Sequence, residues 1–168
     1  YGEGSDEPLF LLRKMIMANT EAERRAIVKE LYPFVKRDIK ATLEAMDGFP
    51  VTIRLLDPPL HEFVPTLEEN KKELAKALGI TVADLDKRGS DLHEVNPMMG
   101  HRGVRLGVTY PEVAEMQMRA ILESAIELVK AKKKVLPEIM ILVTCAKSEL
   151  DHQKALCDKI VEELKKKH

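Results

Sequence analysis

The sequence predicts an α/β chain built on parallel strands. Two observations carry this expectation. Val51-Thr52-Ile53-Arg54-Leu55-Leu56 and Glu138-Ile139-Met140-Ile141-Leu142-Val143 are short, nearly continuous apolar runs, as expected of strands buried on both faces. Stretches with helical periodicity lie between and after them, long enough for crossovers. A strand–helix–strand–helix order of this kind favours a parallel sheet.

The elements follow in order. Residues 1–8 are polar and glycine-rich and read as a loop, and an apolar stripe over 9–19 predicts a helix. Thr20 and Glu23 have capping-box spacing, so a second helix is expected from there to about Met46, with Pro33 breaking or kinking it. Asp47-Gly48-Phe49-Pro50 is a turn signal before the first strand. Thr66 with Glu69, and Thr81 with Asp84, are two further capping boxes; the first should open a helix through about Leu78. Asn96-Pro97-Met98-Met99-Gly100 predicts irregular chain, and Arg102 to Val108 a short third strand. Thr109 with Glu112 should cap a long helix to about Lys132, with Pro111 tolerated in its first turn. Ser148 with Asp151 should open the last helix, to about Leu164, and Lys165-Lys166-Lys167 suits the C-terminal end of its dipole.

Length and charge narrow the possibilities. The 168 residues are enough for one domain with a hydrophobic core, and a single partial domain over 1–168 is the expected organisation. A closed eight-stranded α/β barrel takes about 250 residues, so this chain is too short to close one alone. A formal net charge of −1 argues against a nucleic-acid-binding surface. No apolar run approaches the roughly 20 residues that span a membrane, so no membrane partner is expected. No signal or transit peptide is visible, and the opening Tyr1-Gly2-Glu3-Gly4 suggests further chain upstream. Cys145 and Cys157 read as free thiols of a reducing compartment.

Three places could carry chemistry. Arg54 sits in an apolar strand and is followed by Asp57-Pro58-Pro59-Leu60-His61-Glu62. A fixed guanidinium at the C-terminal end of a parallel strand can hold a phosphate or carboxylate in bidentate fashion. The competing reading is a salt bridge to Asp57 or another acidic group. Gly100-His101-Arg102-Gly103-Val104-Arg105 pairs two arginines with two glycines that allow close backbone approach to an anion; a solvated surface turn is the alternative. Cys145, after Thr144, follows the second strand on the same C-terminal side, and an idle thiol is the plainer reading. His61 and His101 read as hydrogen-bonding structural residues, and Met98, Met99, Met116 and Met118 as packing. No metal-ligand spacing, Walker loop, dinucleotide fingerprint or nucleophile elbow occurs.

The text around these candidates is specific. Val51 to Phe63, VTIRLLDPPLHEF, and Asn96 to Gly107, NPMMGHRGVRLG, resemble two signatures of the pyruvate, phosphate dikinase family. The flanks agree: Tyr110-Pro111-Glu112-Val113 leading to Met116-Gln117, Pro137-Glu138-Ile139-Met140-Ile141, and Asp151-His152-Gln153-Lys154-Ala155-Leu156. The resemblance covers nearly the whole chain. PEP synthase and the sugar-phosphotransferase enzyme I share the two-arginine logic but usually lack the Pro-Pro-Leu-His-Glu-Phe run. One departure concerns the second strand: Ile139-Met140-Ile141-Leu142 lacks the proline that this family carries soon after Met-Ile, which bears on the shape of the strand end.

The resemblance implies a partial (β/α)8 TIM barrel, roughly its second to fourth strands, with the first strand expected before Tyr1. It implies a parent enzyme that interconverts ATP, phosphate and pyruvate with AMP, pyrophosphate and PEP through a phosphohistidine. Arg54 and Arg102 would bind the phosphoryl and carboxylate end of PEP and so should approach one another, while Arg105 would brace the strand or an acidic neighbour. The implied partners are PEP or pyruvate, a swivelling phosphohistidine domain, an ATP-grasp domain and a second copy in a homodimer. Mg²⁺ is the implied cofactor. Its acidic ligands and the family's acid/base cysteine come from later barrel strands whose motifs do not occur here, and Cys145 does not match that cysteine. The chain alone is therefore expected to be inactive and to self-associate through uncovered strand edges. A cytoplasmic or organellar setting, plastid or glycosome, fits the family. The alternative reading is a non-catalytic interaction or assembly module that retains the scaffold.

Overall fold

A computed structural model describes residues 8–57, 60–93 and 100–167. The expectations for Pro58-Pro59, for Asn96 to Met99, and for most of the 1–8 loop lie outside the described residues. The chain divides into two compact units, Tyr1–Leu31 with Pro58–Arg102, and Tyr32–Asp57 with Gly103–His168. Among the described residues no helix is long and apolar enough to cross a membrane.

The first unit is helical. It holds α1 (Pro8–Met17), the first turns of α2 (Glu21–Ala45), a 3₁₀ turn at Leu60–Phe63, α3 (Glu68–Leu78) and α4 (Val82–Asp91). The 9–19 stripe forms α1 because Leu11, Met15 and Ile16 recur at helical spacing and are buried. This helix packs on the 3₁₀ turn, α3 and α4, which add Leu60, Leu74 and Leu85 to the buried set. Arg88 Nη1 donates to the Met17 carbonyl at 2.7 Å, satisfying an acceptor at the C-terminal end of α1.

The second unit carries the sheet. β1 (Pro50–Arg54) and β2 (Leu136–Met140) pair in parallel, from Pro50 opposite Leu136 to Arg54 opposite Met140. Before β1, Gly48 takes a φ of +89° and its N–H donates to the Lys134 carbonyl at 2.7 Å, which makes the predicted turn. α5 (Val104–Thr109) and α6 (Pro111–Lys130) precede β2, and α7 (Lys147–Lys167) follows it. Leu55, Met118, Ile121, Ile160 and Leu164 form the core, with Ile53, Ile139 and Ile141 packed on it. The chain is thus mostly helical with a small parallel sheet, an α/β arrangement of partial extent.

Several expectations are corrected. Arg102 to Val108 is not a strand: α5 occupies Val104–Thr109, and helical spacing buries Val104 and Gly107 together. The strands are not buried on both faces. Thr52, Arg54 and Glu138 are exposed, and Leu136 and Met140 are 44% and 41% exposed, because helices cover one face only. Pro33 does not end α2; it is exposed, where water can take up the carbonyl that loses its helical donor.

The capping boxes divide. Thr20 and Glu23 exchange bonds at 3.2 Å each way, and Thr81 and Asp84 form the same reciprocal pair. Thr66 does not cap: α3 starts two residues later, behind Leu67. Thr109 closes α5 instead, its hydroxyl donating to the Arg105 carbonyl at 3.1 Å, and α6 begins with Pro111 behind Tyr110. Ser148 lies inside α7, which is capped by Glu149: its Oε2 accepts from the amides of Cys145 and Ala146 at 2.8 and 3.0 Å. These two bonds hold the Glu149 carboxyl below the usual range.

Candidate functional site

Arg54 is the last residue of β1, at the C-terminal end of a parallel pair. Its side chain is 59% exposed, and its Nη2 ion-pairs with Asp57 Oδ2. Asp57 is buried, 5% exposed, and a carboxylate taken out of water needs such a counter-charge. The salt bridge weighed as the competing reading therefore exists. It uses only part of a guanidinium with five donors, most of whose side chain faces solvent.

The chain beyond β1 is held by two different acceptors. The Leu55 amide donates to the Met140 carbonyl at 3.2 Å, continuing the ladder for one residue. The Leu56 amide donates at 2.8 Å to Gln117 Oε1, on α6. Gln117 escaped the sequence reading as a functional residue. Its signal was a polar side chain on the apolar stripe of α6, among Ala114, Met118 and Ile121, all buried.

The end of β2 has its own constraints. Val143 takes a φ of +57°, a strained conformation for a β-branched residue. Gly103 approaches this segment with a φ of +57° and ψ of −128°, and the Val104 amide donates to the Leu142 carbonyl at 2.9 Å. Gly103 thus lies close to the backbone of Leu142. Arg105 Nη2 contacts Cys145 Sγ at 3.3 Å, so this guanidinium lies beside the segment between β2 and α7. Cys145 is exposed, whereas Cys157 is half-buried and burial pushes its thiol upward.

Arg102 closes the first unit; it is half-buried, and its amide donates to the Gly100 carbonyl at 3.0 Å. Arg54 belongs to the second unit. His61 and His93 meet edge to face with ring centroids 5.4 Å apart, and His101 is half-buried. Met116 and Met118 are packing residues as expected, 5% and 0% exposed; Met98 and Met99 lie outside the described residues. Among the described residues no group of three or more His, Cys, Asp or Glu side chains is placed to hold a metal ion.

A cleft of about 10 Å³ opens at the strand ends of the second unit, lined by Leu55, Leu56, Gly103, Gln117, Leu142 and Gln153 among others. Among the described residues it has room for about one water.

Residues 6–168 match the family described as PEP-utilising enzyme, PEP-binding domain. The pyruvate, phosphate dikinase of Clostridium symbiosum is 49% identical over 156 residues, which is 92% of this chain and 18% of that protein. That of Rhizobium meliloti is 45% identical over 160 residues, covering 95% of this chain and 18% of the relative. The chloroplastic enzyme of Mesembryanthemum crystallinum is 44% identical over 162 residues, again 95% of this chain and 17% of the relative. The chain spans less than a fifth of the length of these relatives.

Proposed function

Because this chain belongs to the PEP-binding-domain family of PEP-utilising enzymes, we propose that it is one part of a pyruvate, phosphate dikinase and supplies arginines to its PEP/pyruvate site. The observation that carries the proposal is Arg54: an exposed guanidinium at the C-terminal end of a parallel strand, braced by a buried carboxylate. Phosphoryl transfer depends mainly on positioning and on stabilising charge over the transferred group, and a braced arginine fork supplies both. In this reading Arg102 supplies the second guanidinium to the same anion. The chain is then one piece of a single barrel domain whose remaining strands cover the exposed face of β1 and β2. Mg²⁺ would neutralise phosphoryl charge in the longer protein, held by carboxylates outside this segment. The phosphohistidine and ATP-grasp domains, and a second copy of the enzyme, would be its partners.

The test uses a dikinase-length protein carrying this segment. Arg54→Lys and Arg102→Lys should each impair pyruvate and PEP turnover, since lysine cannot reproduce the planar fork. Unchanged kinetics for both substrates would remove the assignment. The 168-residue chain alone, given pyruvate, Mg²⁺ and a phosphorylated carrier domain, should form no PEP; detectable PEP would show that the chemistry needs nothing more.

A further inference from the structure

We infer that Gln117 is a positioning residue for the Arg54–Asp57 pair, acting through the backbone of Leu56; the inference rests on the proposed role of Arg54. Regular pairing between β1 and β2 ends at Arg54 opposite Met140. The Leu55 amide still reaches the Met140 carbonyl, and the amide of Leu56, which in an extended chain points to the opposite edge, is taken by Gln117 Oε1 at 2.8 Å. Asp57 follows directly and turns back to Arg54, three residues earlier. The direction of the Asp57 side chain therefore depends on how the Leu56 peptide is held.

An amide side chain on the core-facing stripe of α6 is costly unless its polar atoms are satisfied. Ala114, Met118 and Ile121 show what packing alone selects on that stripe. Gln117 departs from it and is half-buried beside Leu55 and Leu56 in the strand-end cleft. Its carbonyl oxygen satisfies the Leu56 amide beyond the paired residues of β1. A side chain of α6 thereby fixes the chain just past the end of β1, next to Arg54 and Asp57. Asp57, 5% exposed, has little room to move once Leu56 is held.

Two variants separate positioning from packing. Gln117→Met keeps length and apolar bulk but removes the oxygen; Gln117→Glu keeps an acceptor for the Leu56 amide. In a dikinase-length protein carrying this segment, Gln117→Met should raise KM for PEP about tenfold with kcat little changed, the scale of one lost hydrogen bond. Gln117→Glu should return KM close to the parental value. In the 168-residue chain, Gln117→Met should speed amide exchange at Leu56 and spare Leu55. An unaltered KM in Gln117→Met, or equal losses in both variants, overturns the inference. Arg54→Lys is measured alongside. If it impairs turnover while Gln117→Met does not, positioning fails and the site reading stands. If Arg54→Lys is silent, both fail.

Discussion

Gly103 lies so close to Leu142 that a Cβ built on the glycine would sit 2.7 Å from the Leu142 carbonyl oxygen. That oxygen accepts from the Val104 amide at 2.9 Å, so the approach is part of how α5 is attached to the end of β2. No side-chain rotation could relieve the clash, because the obstructing atom is backbone.

Gly103→Ala should therefore cost about 2–3 kcal/mol, from positive φ and the clash together. Gly48→Ala is the control: its φ is +89° but nothing lies within 4 Å of the added methyl, so it should cost about 1 kcal/mol. Urea denaturation of the two variants compares them, and equal losses would mean that conformation alone matters at Gly103.

Glu123 should give the chain an acid-sensitive step. It is 9% exposed on α6 and accepts from Tyr32 Oη at 2.6 Å and Lys36 Nζ at 2.9 Å. Burial pushes its carboxyl up, but these bonds and the lysine charges outweigh it and hold the group down at about 2, against an ordinary value of 4.5. A depressed carboxyl contributes stability above its unfolded pKa and loses it as pH falls toward the folded value. Between pH 5 and 2 the parental chain should lose on the order of 2 kcal/mol more than Glu123→Gln. Parallel pH profiles from chemical denaturation would contradict this.

Two threonines with the same sequence signature should behave differently. Thr81 accepts from the Asp84 amide at 3.1 Å, and Thr81→Ala should cost about 1 kcal/mol. Thr66 is exposed and does not cap α3, so Thr66→Ala should stay within about 0.5 kcal/mol of parent. Thermal melts of the pair decide it; an equal loss would place a cap at Thr66.

The sheet face bearing Leu136 and Met140 should drive self-association of the isolated chain. Apolar side chains on a sheet whose two strands, among the described residues, pair only with each other favour pairing with another copy. Sedimentation equilibrium should show concentration-dependent mass, reduced by Leu136→Lys and Met140→Lys. A cooperatively melting monomer at all concentrations would show that the helices cover enough of the sheet.

How much could be read in advance varied with the range of the cause. The strands at 51–56 and 138–143, the helices α3, α4 and α6 between them and the boxes at Thr20 and Thr81 were legible because each depends on neighbours a few residues away. The observed strands, Pro50–Arg54 and Leu136–Met140, start one or two residues earlier and stop sooner. Their ends are set by pairing with each other, which local pattern does not contain. Arg54 and Asp57 could be read as a possible pair because only three positions separate them. Gln117 could not be tied to Leu56, since they stand 61 positions apart.

The sequence by itself determined the family, through two long signatures, and most of the helices, through apolar stripes and capping spacings. Tertiary structure decided what local propensity leaves degenerate. Arg102 to Val108 reads as a strand until Val104 and Gly107 must be buried together, which only a helix achieves. The β-branched runs read as buried on both faces until the helices are found to cover one. Thr109 has the spacing of a cap, yet its hydroxyl goes to the end of α5 because Pro111 starts the next helix. In each case the backbone had two acceptable local solutions. The choice between them came from burial and from hydrogen-bond partners distant in sequence, whose contributions exist only once the chain has folded.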